Sequence, residues 1–386
     1  MHLVFWIIWA VALIAEGYRP LRDFVHQHHA LTVKSLKTFL KTSPQVGGLV
    51  VVLGCTVLSF NLAQALLGII LLIRAADVLI SGAEVVAAKA RIPPIVIGVL
   101  IIGLGTSTPE FFVNAISALQ GNTDIAFGNI VGSNICNMGL VIGIAGWLSG
   151  KIQIEKSIIT AEIPVMMAST LLIIFQVMDW PSLTDTTIAP NLSRQDGLVM
   201  LLGMGMYLLY TFHVIADVPP NPDVQHKYQE RYGQQDEMRT WVKAVAQIVI
   251  GIVGLYFGGD FTVTGATAIA VGLGAGTLVV GVIIGIGTSL PELATAISSV
   301  LKNQTDLVIG NVVGSNIFNI LLILGTTAMI QPIYLTDGIA AHLGFLLFAT
   351  TIFFIALGTK KELNRLEAIL LTCLGVGYLA YSIITG

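Results

Sequence analysis

The sequence has few charged residues: they make up 11% of its 386 residues, against about a quarter in a typical soluble domain. Hydrophobic residues account for 55%, and the mean hydropathy is +0.86. The chain also contains long apolar runs, and about 20 apolar residues cross a bilayer as a helix. It lacks the short alternating segments that are typical of a transmembrane barrel. The composition therefore predicts an all-α polytopic membrane protein.

Cysteine and net charge are scarce as well. Cys55, Cys136 and Cys373 all lie in apolar stretches, which predicts reduced, buried thiols and no disulfide framework. The net charge of −3 gives no argument for a nucleic-acid partner. The run Met1–Ala15 lacks a basic region and a convincing cleavage site of small residues, so we expect a retained helix and not a signal peptide.

The apolar segments divide the chain into an extension, two halves and a linker. Candidate spanning helices lie near 2–16, 46–60, 62–88, 93–119, 124–148, 156–178, 196–216, 241–270, 275–301, 306–330, 338–357 and 364–384. We therefore predict an N-terminal extension with one or two transmembrane helices (1–61), a first five-helix repeat (62–216), a linker (217–240) and a second repeat (241–386). Twelve helices are favoured over eleven. In the alternative, the basic stretch 28–45 lies on the membrane surface.

The distribution of lysine and arginine predicts the orientation. From Lys89 to Arg365, alternate loops carry the basic residues, whereas the intervening loops hold only Arg194. Cytoplasmic loops are enriched in basic residues. We therefore expect the linker 217–240 to be cytoplasmic and the N-terminus to lie outside.

Two sequence motifs each occur twice in the chain. The motif Gly-Thr-Ser-x-Pro-Glu occupies Gly105–Glu110 and recurs 182 residues later at Gly287–Glu292. The motif Gly-Asn-x-x-Gly-Ser-Asn-Ile-x-Asn follows each copy, at Gly128–Asn137 and Gly310–Asn319. Because each half holds an odd number of predicted helices, the second half enters the membrane from the opposite side. This predicts a 5+5 inverted repeat, in which Glu110 and Glu292 face each other near the midplane.

The first motif predicts a broken helix that carries oxygen ligands. Pro109 has no N–H group, so the carbonyl of Gly105 loses its helical partner. Such a break at membrane depth survives only where it lines a protein or water cavity. Carbonyl, hydroxyl and carboxylate oxygens form the ligand set that hard cations such as Ca2+ and Na+ prefer. The two facing carboxylates could be neutralised by one divalent ion, two monovalent ions or protons, and this competition suits an antiporter.

The second motif adds a polar stripe at four-residue spacing, the period of one helix face. Its neutral oxygen donors suit Na+ or a bridging water, although helix-to-helix hydrogen bonding alone would also explain them. The members are Asn129, Ser133 and Asn137, with the counterparts Asn311, Ser315 and Asn319.

The doubled motifs resemble the α-repeats of the cation/Ca2+ exchanger superfamily, and most closely the sodium/calcium exchanger family with its prokaryotic antiporters. The resemblance covers residues 62–386 and implies a protein of the prokaryotic plasma membrane. It implies shared Ca2+ and Na+ ligands in Glu110 and Glu292. It further implies Ca2+-binding oxygens from Thr106 and Thr288. The remaining implied ligands are Ser107, Ser133, Ser289 and Ser315 for Na+, with Asn137 and Asn319 flanking the centre.

The resemblance also implies that the helices 62–88 and 241–270 slide past the other eight. Many relatives carry aspartate at the position of Asn319, and this difference counts against K+ co-transport and leaves proton handling open. Proton-coupled relatives typically read Gly-Asn-x-x-Glu at the first motif, where this chain has Gly-Thr-Ser.

The expected function is therefore Na+/Ca2+ antiport by alternating access, with no cofactor beyond the transported ions and no obligate protein partner. The alternatives are a proton-driven Ca2+ antiporter and a transporter of another divalent ion. An intramembrane hydrolase is disfavoured because the seven histidines lie outside the motifs, which leaves no general base. A channel is disfavoured because two buried acids bind cations too tightly for fast passage.

Overall fold

The structure, a computed structural model, is almost entirely helical. It describes residues 47–90, 94–121, 123–154, 158–178, 191–212, 237–273, 286–335, 339–360 and 362–385. The predicted N-terminal helix 2–16, the basic stretch 18–45 and most of the linker 217–240 lie outside these ranges. Within them, six helices are long and apolar enough to cross a membrane. A seventh span is formed if the bent pair Gly98–Thr106 and Thr108–Leu119 counts as one.

The helices follow the order of the predicted segments. Those of the first half are α1 Gly47–Ala90, α2 Pro94–Ile97, α3 Leu104–Thr106, α4 Thr108–Leu119, α5 Thr123–Cys136, α6 Ile142–Ser149, α7 Ile163–Val177 and α8 Arg194–Tyr210. Those of the second half are α9 Glu237–Gly272, α10 Leu290–Leu301, α11 Thr305–Ile317, α12 Gly325–Ile330, α13 Ile339–Lys360 and α14 Arg365–Thr385. Wider π-helical turns cover Gly98–Gly103, Asn137–Val141, Ile158–Glu162 and Phe318–Leu324.

The predicted break near residue 61 is wrong, because α1 runs without interruption through that position. No proline or glycine lies between Gly54 and Gly68, so nothing in the sequence ends the helix there. At 1.5 Å per residue, its 44 residues extend about 66 Å, roughly twice the hydrocarbon thickness of a bilayer. The apolar part that is long enough to span is Phe60–Ala87.

The first helices of the two halves, α1 and α9, pack against each other in opposite directions. Leu79 lies against Gly251, Leu72 against Gly258 and Ala65 against Gly265, so the numbers rise along one helix and fall along the other. A methyl group on Gly251 would lie only 2.6 Å from the Cβ atom of Leu79, which shows that small residues permit this close approach. The antiparallel arrangement is the one that an inverted repeat predicts.

The centre of the bundle is formed by the second motif of each half. Residues of α11 and of the π-helical turn after it are almost all buried, and α5 is their counterpart in the first half. The π-helical turn Gly98–Gly103 crosses α11 closely enough that a methyl group on Gly314 would meet the carbonyl of Val99 at 2.8 Å. The helix that precedes the first break is thereby held against the second half.

Two short antiparallel ribbons connect the halves at opposite ends of the bundle. Strand β1 (Lys151–Gln153) pairs with β4 (Glu362–Asn364), and β2 (Asn191–Leu192) pairs with β3 (Ile333–Tyr334). The apolar span Ile158–Val177 separates β1 from β2 along the chain, so the two ribbons lie on opposite faces. Each ribbon takes one strand from each half.

Candidate ion-binding site

Both copies of the first motif break their helix at the same residue. Ser107 has φ −83° and ψ 3°, and Ser289 has φ −91° and ψ 6°. Helices α4 and α10 then begin with a proline in their first turn, where its missing N–H group costs no hydrogen bond. The predicted break is therefore present in both halves. In the first half, the segments Gly98–Thr106 and Thr108–Leu119 are bent by 48° relative to each other.

This geometry places each glutamate in the first turn of a new helix, beside N–H groups that have no partner within the helix. Glu110 is 1% exposed and Glu292 is 0% exposed. The positive end of a helix dipole stabilises a carboxylate at this position. The break thus explains how two acidic side chains can be tolerated inside an apolar bundle.

The two glutamates lie in one site, although 182 residues separate them. The Ser107 hydroxyl donates to Oε1 of Glu292 at 3.4 Å, so a residue of the first break contacts the acid of the second. In the described part of the chain, no hydrogen-bond donor reaches either carboxylate oxygen of Glu110 or Oε2 of Glu292.

Hydroxyl groups from one half contact the second motif of the other half. The Thr106 hydroxyl donates to Oδ1 of Asn311 at 3.0 Å and lies 3.3 Å from the Ser315 hydroxyl. In the reverse direction, the Ser133 hydroxyl lies 3.3 Å from the Thr288 hydroxyl. The pairs Thr106–Ser315 and Thr288–Ser133 are related by the repeat spacing, as a pseudo-twofold axis requires.

The asparagines behave in the same reciprocal way. Asn137 donates from Nδ2 to Oδ1 of Asn316 at 3.2 Å, and Asn319 donates from Nδ2 to Oδ1 of Asn134 at 2.9 Å. Both bonds fix the amide nitrogen and leave the Oδ1 atoms of Asn137 and Asn319 buried without a described donor. Asn137 is the first residue of one π-helical turn, and Asn319 is the second residue of another. Such turns are found frequently at functional sites.

The uncommitted oxygens decide what the site can bind. A buried acceptor left without a partner costs about 1 to 3 kcal/mol, and a charged one costs more. Within the described ranges, no group of three or more His, Cys, Asp or Glu residues forms a metal cluster. The available donor set is therefore two carboxylates surrounded by neutral hydroxyl and amide oxygens, which suits hard cations.

The structure brings the ten predicted site residues to the two breaks and to the polar stripes beside them. Ser289 is buried there, and its hydroxyl has no described partner. Asn134 and Asn316, which the stripe pattern places off the Ser/Asn face, connect the two halves through hydrogen bonds. Asn311 belongs to the predicted stripe, but its contact with Thr106 could not be read from spacing, because it joins different halves.

Asn114 and Thr295 are buried near the glutamates and were not predicted. Asn114 follows Glu110 by one helical turn, and this spacing is the one signal that could have identified it. Comparison of the two repeats hides it, since Ala296 occupies the equivalent position.

Glu162 lies outside these contacts. It is buried in a π-helical turn, and the hydroxyl of Tyr207, from α8, donates to its carboxylate. This bond satisfies the acid within the first half and connects α8 to the start of α7.

The sequence profile described as sodium/calcium exchanger protein matches residues 60–214 and 243–384. These two segments make up more than half of the chain and contain both copies of each motif. The chain belongs to the sodium/calcium exchanger family. The resemblance that the repeated motifs indicated is thereby confirmed, and the protein is a membrane transporter of the exchanger type and not an enzyme.

Relatives in this family cover most of the chain. It is 35% identical to the putative antiporter CaxA of Alkalimonas amylolytica over 318 residues, which are 81% of this chain and 95% of CaxA. It is 25% identical to the sodium/calcium exchanger MaX1 of Methanosarcina acetivorans over 344 residues, which are 83% of this chain and 98% of MaX1.

The fold matches that of solved exchangers. A structure of the sodium-calcium exchanger NCX_Mj superposes with a TM-score of 0.69 at 24% identity and covers 84% of this chain and 99% of that chain.

Proposed function

We propose that this protein is a secondary active antiporter that exchanges Na+ for Ca2+ at one central site between Glu110 and Glu292. The observation that carries the proposal is the pair of buried carboxylates with uncommitted oxygens, contributed by two helix breaks of the same geometry. The name of MaX1 and the family description support the choice of ions.

Competition for the two carboxylates supplies the coupling. When both are ionised they carry a charge of −2, and each desolvated charge costs several kcal/mol without a counter-ion. One Ca2+ ion neutralises the charge of the pair, and two monovalent ions such as Na+ neutralise it equally. Because the two cargoes need the same oxygens, one must leave before the other can occupy the site and permit the return transition.

We assign the remaining predicted ligands as the family resemblance implies. Thr106 and Thr288 supply oxygens to Ca2+, and Ser107, Ser133, Ser289 and Ser315 complete positions for Na+. The orphaned Oδ1 atoms of Asn137 and Asn319 flank the centre. Asn319 carries no charge, so the acidic ligands of the site are limited to the two glutamates.

The antiparallel pair α1 and α9 is the moving part in this proposal. Its closest contacts are made by glycines, which let the two helices pack tightly enough to move together. The pair slides as a unit past the remaining helices and exposes the site to each side in turn. We place the β1–β4 ribbon and the linker 217–240 on the cytoplasmic side of a plasma membrane, because the basic residues cluster there.

A proton-driven Ca2+ antiporter is the second candidate, and transport of another divalent cation is a variant of it. Two buried carboxyl groups favour it, since protons neutralise them as well as Na+ does. Asn319 is neutral, and a neutral residue at this position is compatible with coupling to either Na+ or H+.

The test is uptake of labelled Ca2+ into proteoliposomes that contain the purified protein. We expect an outward Na+ gradient to drive uptake and a pH gradient alone, with choline replacing Na+, to leave it at the level of protein-free liposomes. Equal uptake under the pH gradient would favour the proton-driven candidate. Excess Mg2+ or Mn2+ should reduce Ca2+ uptake only weakly. Strong competition by either ion would favour that ion as the transported divalent cation.

A further inference from the structure

One buried polar residue of the first half has no counterpart in the second half. The buried positions of α4 are Glu110, Asn114 and Ala118, which follow one another at intervals of one helical turn. Asn114 is 0% exposed. Its side chain therefore shares a helix face with the carboxylate of Glu110 and has no access to solvent.

The orientation of the Asn114 amide follows from its hydrogen bond. Nδ2 donates to the backbone carbonyl of Glu110 at 2.7 Å. Exchanging the amide nitrogen and oxygen would place two acceptors at this distance, which is repulsive. Oδ1 therefore points away from that carbonyl, and no donor within the described residues reaches it.

The buried side-chain oxygen near Glu292 is in a different environment from the one near Glu110. Ala296 stands at the position equivalent to Asn114. The neighbouring Thr295 hydroxyl donates to the carbonyls of Pro291 and Glu292 and accepts from Nδ2 of Asn311 at 2.9 Å. The buried oxygen beside Glu292 is thus committed to hydrogen bonds, whereas the one beside Glu110 is free to coordinate.

We propose that Oδ1 of Asn114 and the carboxylate of Glu110 form a position for a monovalent cation, Na+, that exists in the first half alone. This inference rests on the proposed function and specifies which residues select Na+. One carboxylate and one neutral amide oxygen match a single positive charge, whereas Ca2+ is better served between both glutamates. Na+ and Ca2+ binding therefore respond differently to a change at this residue.

The test removes the amide oxygen and follows ion binding directly. The thermal unfolding midpoint of the purified protein is titrated with NaCl or CaCl2 at constant ionic strength in choline chloride. Asn114→Ala reproduces the residue of the second half, and Asn114→Leu keeps the branched shape in a larger side chain without an oxygen. Ser117→Ala, on the same helix outside the buried stripe, is the matched control.

We expect both Asn114 variants to raise the Na+ concentration for half-maximal stabilisation about tenfold. The corresponding Ca2+ concentration should change less than about twofold, and Ser117→Ala should behave as wild type. Unchanged Na+ titrations in both variants would overturn the inference, and so would equal weakening for Na+ and Ca2+, which marks a structural role. A wild-type protein that responds to neither ion would instead overturn the proposed function itself.

Discussion

At the scale of single residues, polar side chains of each half contact the motifs of the other half. Ser107 contacts Glu292, and Thr106 contacts Asn311 and Ser315. Among the described residues, no lysine or arginine forms an ion pair with Glu110 or Glu292, and our proposal is that mobile cations neutralise them. The consequence is that neutralising either glutamate should affect transport and stability in opposite directions.

Glu110→Gln and Glu292→Gln should each reduce Na+-driven Ca2+ uptake to background, because glutamine keeps the shape and loses the charge. In buffer without Na+ or Ca2+, both variants should unfold at a higher temperature than wild type, since one of two buried like charges is gone. Uptake assays and thermal unfolding of the same preparations check this. Exchange at the wild-type rate in either variant would contradict the assignment of ligands.

At the scale of helices, polar contacts join α1 to the C-terminal end of α10. The Ser298 hydroxyl donates to the Asp77 carboxylate, and Lys302 donates to the Asp77 carbonyl at 2.9 Å and to the Ser81 hydroxyl at 3.2 Å. Asp260, which follows Asp77 by 183 residues in the equivalent helix α9, is exposed. The contact is asymmetric because Ile116 and Gln120 occupy the positions in the first half that are equivalent to Ser298 and Lys302.

Asp77→Ala should lower the free energy of unfolding by about 1 to 2 kcal/mol, because it removes a charged acceptor between two helices. Asp260→Ala is the matched control from the other half and should cost less than about 0.5 kcal/mol. Chemical unfolding in detergent, followed by circular dichroism, measures both. Equal effects of the two substitutions would show that the contact does not hold α1 in place.

At the scale of the whole molecule, the two ribbons mark the two faces of the bundle. Lys151, in the first ribbon, forms an ion pair with Glu362 of the second half. On the other face, Arg194 donates to the carbonyl of Ile330 at 3.3 Å. Both basic side chains are exposed, so they report the orientation of the protein in the membrane.

Single cysteines at these two positions test that orientation. In a background without the native cysteines, Lys151→Cys should react with a membrane-impermeant maleimide only after the cells are opened. Arg194→Cys should react in intact cells, because the positive-inside bias places it outside. The extent of labelling by mass shift measures both, and labelling of both residues from one side would contradict the predicted topology.

Sequence alone determined the membrane class, the two halves, the helix breaks and the acids that follow them. These features depend on local chemistry: apolar length, the missing N–H group of Pro109 and Pro291, and a repeat spacing that can be counted. Tertiary structure alone decided that Asn311 faces Thr106, and that the oxygen of Asn114 has no donor among the described residues. Such facts depend on contacts between residues far apart in the chain, and linear periodicity carries no information about which hydrogen bonds those contacts complete.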